Sequence, residues 1–204
     1  LHSGRHGFDR RRVVVAASHA EAAEALEQND PRRVFTHSAL DAPEITFMFP
    51  GGGAQYAGMA RDLYETEPVF ADWMDKGLAI LEPLLDFDIR AVWLPEPGDR
   101  EAAEARLRTP SVQLPLIMIV EYALAQLWIS WGVVPRALIG HSMGENTAAC
   151  LAGVMGFEDC IGLVHLRGQL MDEVPAGGML SVALSAEALS PYLGADLDLA
   201  VVNG

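Results

Sequence analysis

The pentapeptide Gly140-His141-Ser142-Met143-Gly144 could hold a serine hydroxyl ready for nucleophilic attack. A short apolar stretch, 136–139, precedes it and a helix-forming stretch, 145–152, follows it. The flanking glycines permit a tight strand-to-helix turn, because neither carries a Cβ that would block close backbone approach. Such a turn exposes the serine at a helix N-terminus, where free backbone N–H groups can stabilise an oxyanion. The pattern therefore predicts a nucleophile at Ser142.

A second glycine-rich turn, Pro50–Gly53, follows a predicted strand at 45–49. Glycine lets the backbone come close to a ligand, so this turn could donate an N–H group to an oxyanion pocket. A tight strand-to-helix connection would explain the same residues equally well.

Two polar side chains interrupt apolar helical stretches and are candidates for a substrate pocket. Arg167 lies among apolar neighbours, and its planar guanidinium needs an anion or carbonyl oxygens as partners. A structural ion pair is the alternative explanation for Arg167. Gln113 stands at the start of a long apolar helix, where solvation of the helix end would account for it as well.

The composition excludes several classes of protein. Half of the 204 residues are hydrophobic, as in ordinary globular chains, and the net charge of −14 argues against nucleic-acid binding. Cys150 and Cys160 lie on apolar helical stretches without a disulfide or metal-ligand pattern, as expected of a reduced, cytoplasmic protein with no metal site. The longest apolar stretch, 114–131, contains Glu121 and Ser130, which favours a buried helix over a membrane span.

A series of strands and helices must position the serine. Ser18 is the expected N-cap of the first helix, and the last three elements indicate the start of a β-α-β unit. The predicted order is strand 11–17, helix 18–27, strand 45–49, helices 54–64 and 68–85, a loop at 86–100, helices 101–108 and 111–131, the strand and elbow helix at 137–155, helix 157–174, strand 179–183, helix 186–192 and strand 197–202.

Four sequence blocks, taken together, resemble the acyltransferase domain of modular type I polyketide synthases, close kin of the malonyl-CoA:acyl-carrier-protein transacylases. Unrelated serine hydrolases share the serine turn but not the other three blocks. A further stretch, 4–14, resembles the end of the linker that joins ketosynthase to acyltransferase. The four blocks are 47–55, 109–116, 140–145 and 166–171.

The resemblance implies an α/β fold with an α/β-hydrolase-like parallel sheet core. It divides the chain into the end of the linker, a small α+β segment, at 1–43, a partial core at 44–176 and the start of a ferredoxin-like inserted subdomain at 177–204. The elbow is expected at the carboxyl end of one strand of the sheet. The chain begins with Leu1, so we expect a piece of a longer polypeptide, with an unfinished sheet edge that makes it poorly soluble alone.

The resemblance also implies roles for individual residues. Ser142 would take an acyl group from coenzyme A and pass it to a phosphopantetheine thiol, and Arg167 would pair with the free carboxylate of a malonyl-type unit. The backbone N–H groups of Met143 and Gly52 would form the oxyanion hole. Gln113 would line the pocket, and His141 would support it from beside the nucleophile.

The chain departs from the family pattern at two points. Gly52 stands where the family usually has glutamine, but the family uses the backbone N–H there, so the donor should remain. The catalytic histidine of the family lies beyond the residues of this chain, and His165 is expected to face away from Arg167 on its helix. Because a serine nucleophile needs a base, these 204 residues alone are expected to be inactive or nearly so.

The resemblance further implies a malonyl-CoA-type substrate, no bound cofactor, and two partners: an acyl carrier protein with its phosphopantetheine arm, and the ketosynthase of the same polypeptide. No nucleic acid and no membrane are expected as partners. Met143, the residue after the serine, favours malonyl over methylmalonyl as the extender unit.

Two other functional classes remain open. A serine esterase or lipase of the α/β-hydrolase class would share Ser142 but would not need Arg167. A non-catalytic docking segment would be consistent with the missing base and with the arginine-rich stretch at 5–33.

Overall fold

A computed structural model describes residues 6–175 and 177–203. The opening residues of the linker-like stretch at 4–14 and the histidine at position 2 lie outside the described residues. The elements are strand β1 (Arg10–Val14), helix α1 (His19–Gln28), strands β2 (Val34–Ser38) and β3 (Thr46–Phe49), helices α2 (Arg61–Thr66), α3 (Pro68–Leu81), α4 (Ile89–Trp93), α5 (Arg100–Arg106) and α6 (Pro110–Ser130), strand β4 (Ala137–Gly140), and helices α7 (Gly144–Leu151), α8 (Phe157–Asp172) and α9 (Ala186–Leu189).

The N-terminal elements form a small antiparallel unit. Strands β1 and β2 pair from Arg10 opposite Ser38 to Val14 opposite Val34, and α1 connects them. Ser18 caps α1 as predicted, because its Oγ accepts a hydrogen bond of 3.2 Å from the N–H of Glu21. Strand β2 was not predicted, since Val34–Ser38 is mostly exposed and lacks a strong alternation; pairing with β1 holds it extended.

The second sheet positions the predicted serine turn. Strands β3 and β4 are parallel, with Thr46 opposite Ala137 and Phe49 opposite Gly140. Both strands therefore end at the same edge, where the Pro50–Gly53 turn and the turn around Ser142 follow. The predicted parallel pairing and the place of the turn are confirmed for these two strands.

Helix α6 is the centre of the core. It packs against α3 and α8, which approach it at glycines: a Cβ at Gly77 would lie 2.5 Å from Ile119 Cγ2, and one at Gly168 2.5 Å from Ser111 Cα. By length and composition α6 is the one helix in the described residues that could cross a membrane, but most of it is buried inside the protein. The largest fully buried core side chains are Trp93, Phe70, Met74, Leu78, Leu81, Ile89, Leu107, Leu116, Met118, Ile119, Leu127 and Met143.

Two local predictions around 54–100 are wrong. The helix predicted at 54–64 begins only at Arg61, because Gly58 N donates to the Trp93 carbonyl at 2.6 Å and Trp93 Nε1 donates to the Met59 carbonyl at 2.8 Å. These tertiary bonds hold the chain in turns. The loop predicted at 86–100 contains α4, whose first turn is capped by the Asp88 carboxylate.

The strands predicted at 179–183 and 197–202 are also wrong, and no β-α-β unit forms within residues 177–203. A strand needs a partner for its backbone N–H and C=O groups, and none pairs with these segments in the described part of the chain. Met179 and Leu180 are each 87% exposed. The helix predicted at 186–192, between these two segments, is confirmed by α9 and the 3₁₀ turn Ser190–Tyr192.

Candidate active site

Ser142 occupies a strained turn between β4 and α7. Its φ of 53° lies in the left-handed region, which is unfavourable for a residue with a side chain. The chain can turn this tightly because of the glycines: a Cβ at Gly140 would lie 2.2 Å from Glu145 N, and one at Gly144 2.2 Å from the Phe49 carbonyl O. The turn leaves Ser142 exposed at the N-terminus of α7.

The glycine-rich turn after β3 lies directly against the serine turn. A Cβ at Gly51 would lie 2.9 Å from the His141 carbonyl O and 3.1 Å from Ser142 Cβ. Within residues 6–175 and 177–203, neither the Met143 N–H nor the Gly52 N–H donates to a protein acceptor. Neither of the two N–H groups predicted as oxyanion donors is thus engaged by an acceptor of the described residues.

Arg167 reaches the serine from α8. Its Nη2 donates to Ser142 Oγ at 3.3 Å, and its Nη1 donates to Asn146 Oδ1 at 3.1 Å. No carboxylate of the described residues forms a salt bridge with Arg167, so the structural ion pair considered above is not observed there. The charge of the partly buried guanidinium is consequently available to an anion next to the hydroxyl.

Gln113 borders the glycine-rich turn. Its Oε1 lies 3.4 Å from the position that a Cβ on Gly52 would take, while its Nε2 donates to the Arg108 carbonyl at 3.4 Å. Its side chain makes no hydrogen bond to Ser142 or Arg167. Gln113 therefore lines the turn that carries one oxyanion donor.

The described histidines make no hydrogen bond to the serine hydroxyl. His141 is exposed, and its backbone N–H donates to the Phe49 carbonyl at 2.9 Å. His165 is buried and its Nδ1 lies 3.1 Å from the Ser111 carbonyl O, so it faces away from Arg167 as expected. Among the histidines that the structure describes, none hydrogen-bonds Ser142.

A buried polar pair lies beneath the serine turn. Met143 is fully buried, so its side chain belongs to the core. Thr147 Oγ1, 3.9 Å from Met143 Sδ, donates to Glu121 Oε2 at 2.6 Å. Burial raises the pKa of Glu121 to about 8, although the Thr147 hydrogen bond opposes the shift, and Oε1 has no partner in the described residues.

Sequence reasoning missed Asn146 and the Glu121–Thr147 pair. Sequence position could have drawn attention to two of them, because Asn146 and Thr147 lie in the first turn of α7, directly after the serine turn. Glu121 had no such signal, since its partner is on another helix.

Ser142 and His141 are the site residues most open to solvent, together with Gly52. Two grooves of about 620 and 370 Å³ lie elsewhere, against Phe87 and Arg106, and none of the predicted site residues lines them. No cluster of metal-ligating side chains occurs in residues 6–175 or 177–203. Within the part of the chain that the structure describes, the site combines a serine hydroxyl, two backbone N–H groups without a protein acceptor and a guanidinium without a carboxylate partner. Such a combination suits nucleophilic attack on an acyl group that carries a negative charge.

A family model for the acyl transferase domain matches residues 46–204. This segment contains the serine turn, the glycine-rich turn and Arg167, and the chain belongs to the acyl transferase domain family.

Its relatives include polyketide synthases of Streptomyces. The chain is 38% identical over 214 residues to polyketide synthase GfsB of Streptomyces halstedii, in an alignment that covers 100% of this chain and 4% of that protein. It is 36% identical over 208 residues to mycoketide-CoA synthase of Mycobacterium tuberculosis, over 99% of this chain and 5% of that protein. The chain therefore spans a small part of the length of these relatives.

Solved structures of acyltransferases share the mixed α/β fold. The acyl transferase domain of ZmaA is 41% identical with a TM-score of 0.82, over 93% of this chain and 44% of that chain. An acyl carrier protein S-malonyltransferase from Vibrio cholerae is 33% identical with a TM-score of 0.56, over 66% of this chain and 42% of that chain.

Proposed function

We propose that this chain is part of an acyltransferase that loads a malonyl-type extender unit from coenzyme A onto an acyl carrier protein through a seryl ester on Ser142. The observation that carries the proposal is the 3.3 Å hydrogen bond from Arg167 Nη2 to Ser142 Oγ, made by a guanidinium without an acidic partner in the described residues. An esterase for neutral acyl groups has no use for an unpaired cation beside its nucleophile.

The proposed reaction proceeds in two balanced steps. Ser142 Oγ attacks the thioester carbonyl, its proton passes to a base, and the N–H groups of Met143 and Gly52 stabilise the oxyanion. Collapse breaks the C–S bond, and coenzyme A leaves as the thiol after taking up the proton. The thiol of the carrier's phosphopantetheine arm then gives its proton to the base and attacks the seryl ester, forming a new C–S bond. The C–Oγ bond breaks, and Ser142 Oγ takes the proton back from the base. We propose that a histidine outside these 204 residues is the base, so residues 1–204 alone should not turn over.

Arg167 would select the acyl group. A bidentate salt bridge to the free carboxylate favours dicarboxylic acyl units over acetyl, while Gln113 and His141 complete the rim of the pocket. The solved S-malonyltransferase among the relatives supports a malonyl-type unit. Met143 still favours malonyl over methylmalonyl, but its buried side chain would have to act through the shape of the turn.

The context of the site follows from the same proposal. We expect the acyl carrier protein and a ketosynthase of the same polypeptide as partners, a cytoplasmic location and no bound cofactor. We also propose the linker at 1–43, a hydrolase-like core at 44–176 that extends the β3–β4 sheet, and a ferredoxin-like subdomain from 177.

The test uses the full-length protein with malonyl-CoA. We expect mass spectrometry of the intact protein and of its peptides to find a malonyl adduct on Ser142, and none in Ser142→Ala. Arg167→Ala should lose malonyl charging by at least about 100-fold, the loss of a charge-assisted bidentate contact, and retain acetyl charging. An unmodified serine in the wild-type protein, or a malonyl rate indifferent to Arg167, would reject the transferase in favour of the docking or esterase alternative.

A further inference from the structure

We infer that Asn146 is a positioning residue that holds the Arg167 guanidinium against Ser142 and keeps its charge free for the substrate carboxylate. This inference rests on the proposed function. Asn146 itself contacts neither the nucleophile nor, in our proposal, the acyl group; it acts through Arg167.

The guanidinium of Arg167 is held at two of its nitrogens. Asn146 Oδ1 accepts from Nη1 at 3.1 Å while Ser142 Oγ accepts from Nη2 at 3.3 Å, so both ends of the same planar group are engaged. Two contacts on a rigid fork fix both its position and the rotation of its plane. With the serine contact alone, the guanidinium could still turn about that single bond.

Asn146 is itself held in place by its backbone. Its N–H donates to the Met143 carbonyl at 2.8 Å, and its carbonyl accepts from Cys160 Sγ at 3.5 Å. Cys160 is fully buried on α8, the helix that carries Arg167. The backbone of Asn146 therefore links the serine turn to the helix of the arginine, and its amide extends to Arg167 from a fixed position.

The amide of Asn146 is also electrically neutral. An amide oxygen orients the guanidinium without cancelling its charge, whereas a carboxylate at the same place would compete with the substrate carboxylate. No acidic side chain of residues 6–175 or 177–203 pairs with Arg167. A neutral acceptor at 146 satisfies the donor fork and preserves the attraction that selects the acyl group.

Two variants of Asn146 separate orientation from charge. Asn146→Ala removes the anchor, whereas Asn146→Asp keeps its shape and adds a negative charge. The full-length protein is assayed for charging by malonyl-CoA and by acetyl-CoA, with kcat and KM determined for each. We expect Asn146→Ala to raise KM for malonyl-CoA about 10-fold and Asn146→Asp to raise it further, each with acetyl-CoA changed less than about 2-fold.

A double-mutant cycle with Arg167→Ala excludes a merely structural effect. If Asn146 acts through Arg167, adding Asn146→Ala to Arg167→Ala should change malonyl charging less than about 2-fold. Gln169→Ala is the matched control, because it removes an exposed amide from α8, the helix that carries Arg167, without removing a hydrogen bond to Arg167. It should leave charging by malonyl-CoA and by acetyl-CoA unchanged.

The outcomes distinguish the two proposals. If the wild-type protein forms no malonyl adduct, the proposed function fails and the inference with it. The role of Asn146 is overturned, while the function stands, if the wild-type protein forms the malonyl adduct and Asn146→Ala forms it equally well. The same holds if Asn146→Ala slows malonyl and acetyl charging alike, both in the wild-type protein and in Arg167→Ala. Equal KM values for malonyl-CoA in Asn146→Asp and the wild-type protein would overturn the claim that position 146 needs an uncharged acceptor.

Discussion

Ser142 combines the expected nucleophile with an unfavourable backbone conformation. A left-handed conformation costs a residue with a Cβ about 1 kcal/mol more than it costs glycine, and Ser142 has φ 53°. Gly140 and Gly144 make room for this turn, because a Cβ at either position would clash with the backbone. The strained backbone is therefore part of the same turn that exposes the Ser142 hydroxyl.

This strain predicts different stabilities for two inactive variants. Ser142→Gly relieves the positive φ and should unfold at a higher temperature than Ser142→Ala, by about 2–4 °C for a free energy of unfolding about 1 kcal/mol larger. Both lose the hydroxyl and the Arg167 contact, so each is the control for the other. Differential scanning calorimetry of the full-length proteins measures the shift; equal midpoints would mean that the turn is not strained.

Glu121 predicts a pH dependence of stability. Its pKa is raised by burial from 4.5 to about 8, so the folded protein binds more protons than the unfolded chain between those values. Stability from this group is consequently present below pH 4.5 and falls as the pH rises towards 8. Glu121→Gln, which stays neutral, should match the wild-type protein near pH 5 and be the more stable of the two at pH 8, by several degrees in the thermal midpoint.

Thermal unfolding of both full-length proteins from about pH 5 to about pH 8.5 measures this difference. Every other ionisable group is common to the two proteins and cancels in the comparison. If the difference between the thermal midpoints of the two proteins stays constant with pH, Glu121 is ionised over the whole range.

At the scale of elements, the site depends on how closely α8 approaches α6. Gly168 permits this approach, because any Cβ there would meet Ser111 at 2.5 Å. Since α8 carries Arg167, the same glycine sets how far the guanidinium reaches towards Ser142.

Two alanine variants of α8 test this packing. Gly168→Ala should destabilise the domain by about 1–3 kcal/mol through overpacking and weaken malonyl charging by displacing Arg167. Gly162→Ala on the same helix meets no atom within 4 Å, so it should be neutral or stabilise by up to about 1 kcal/mol through helix propensity. Thermal unfolding and malonyl charging of the two full-length variants are compared; similar behaviour would contradict the close packing at Gly168.

At the scale of the whole molecule, apolar side chains remain on the surface around the site. Leu163, Leu166 and Leu170 on α8 are 46–57% exposed, and Met48 and Ile139 on the β3–β4 sheet are 76% and 52% exposed. Exposed apolar groups of this size mark surfaces that pack against further protein or promote aggregation.

We therefore expect residues 1–204 expressed alone to bind the dye ANS and to aggregate. Replacing Leu163, Leu166 and Leu170 by serine should lower the dye fluorescence and raise the solubility of residues 1–204. The same substitutions should destabilise a longer polypeptide whose further residues pack against this face. If the substitutions improve both forms equally, the face is an ordinary exposed surface in the full-length protein.

The sequence alone determined the features that depend on neighbours in the chain. The glycines around Ser142, the Ser18 cap and the long apolar run of α6 act within a few residues, so the turn, the first helix and the central helix could be predicted. The four sequence blocks, which identify the family, also required no coordinates.

Only the tertiary structure decided which groups meet across the chain. Strand β2 exists because β1 pairs with it, the turns at 54–60 exist because Trp93 bonds to them, and the segments predicted as strands after 177 found no partner in the described residues. Arg167 could be singled out by its type, but its neutral partner Asn146 could not. A hydrogen bond between two helices depends on how they pack, and that distance is set by the core rather than by any local pattern.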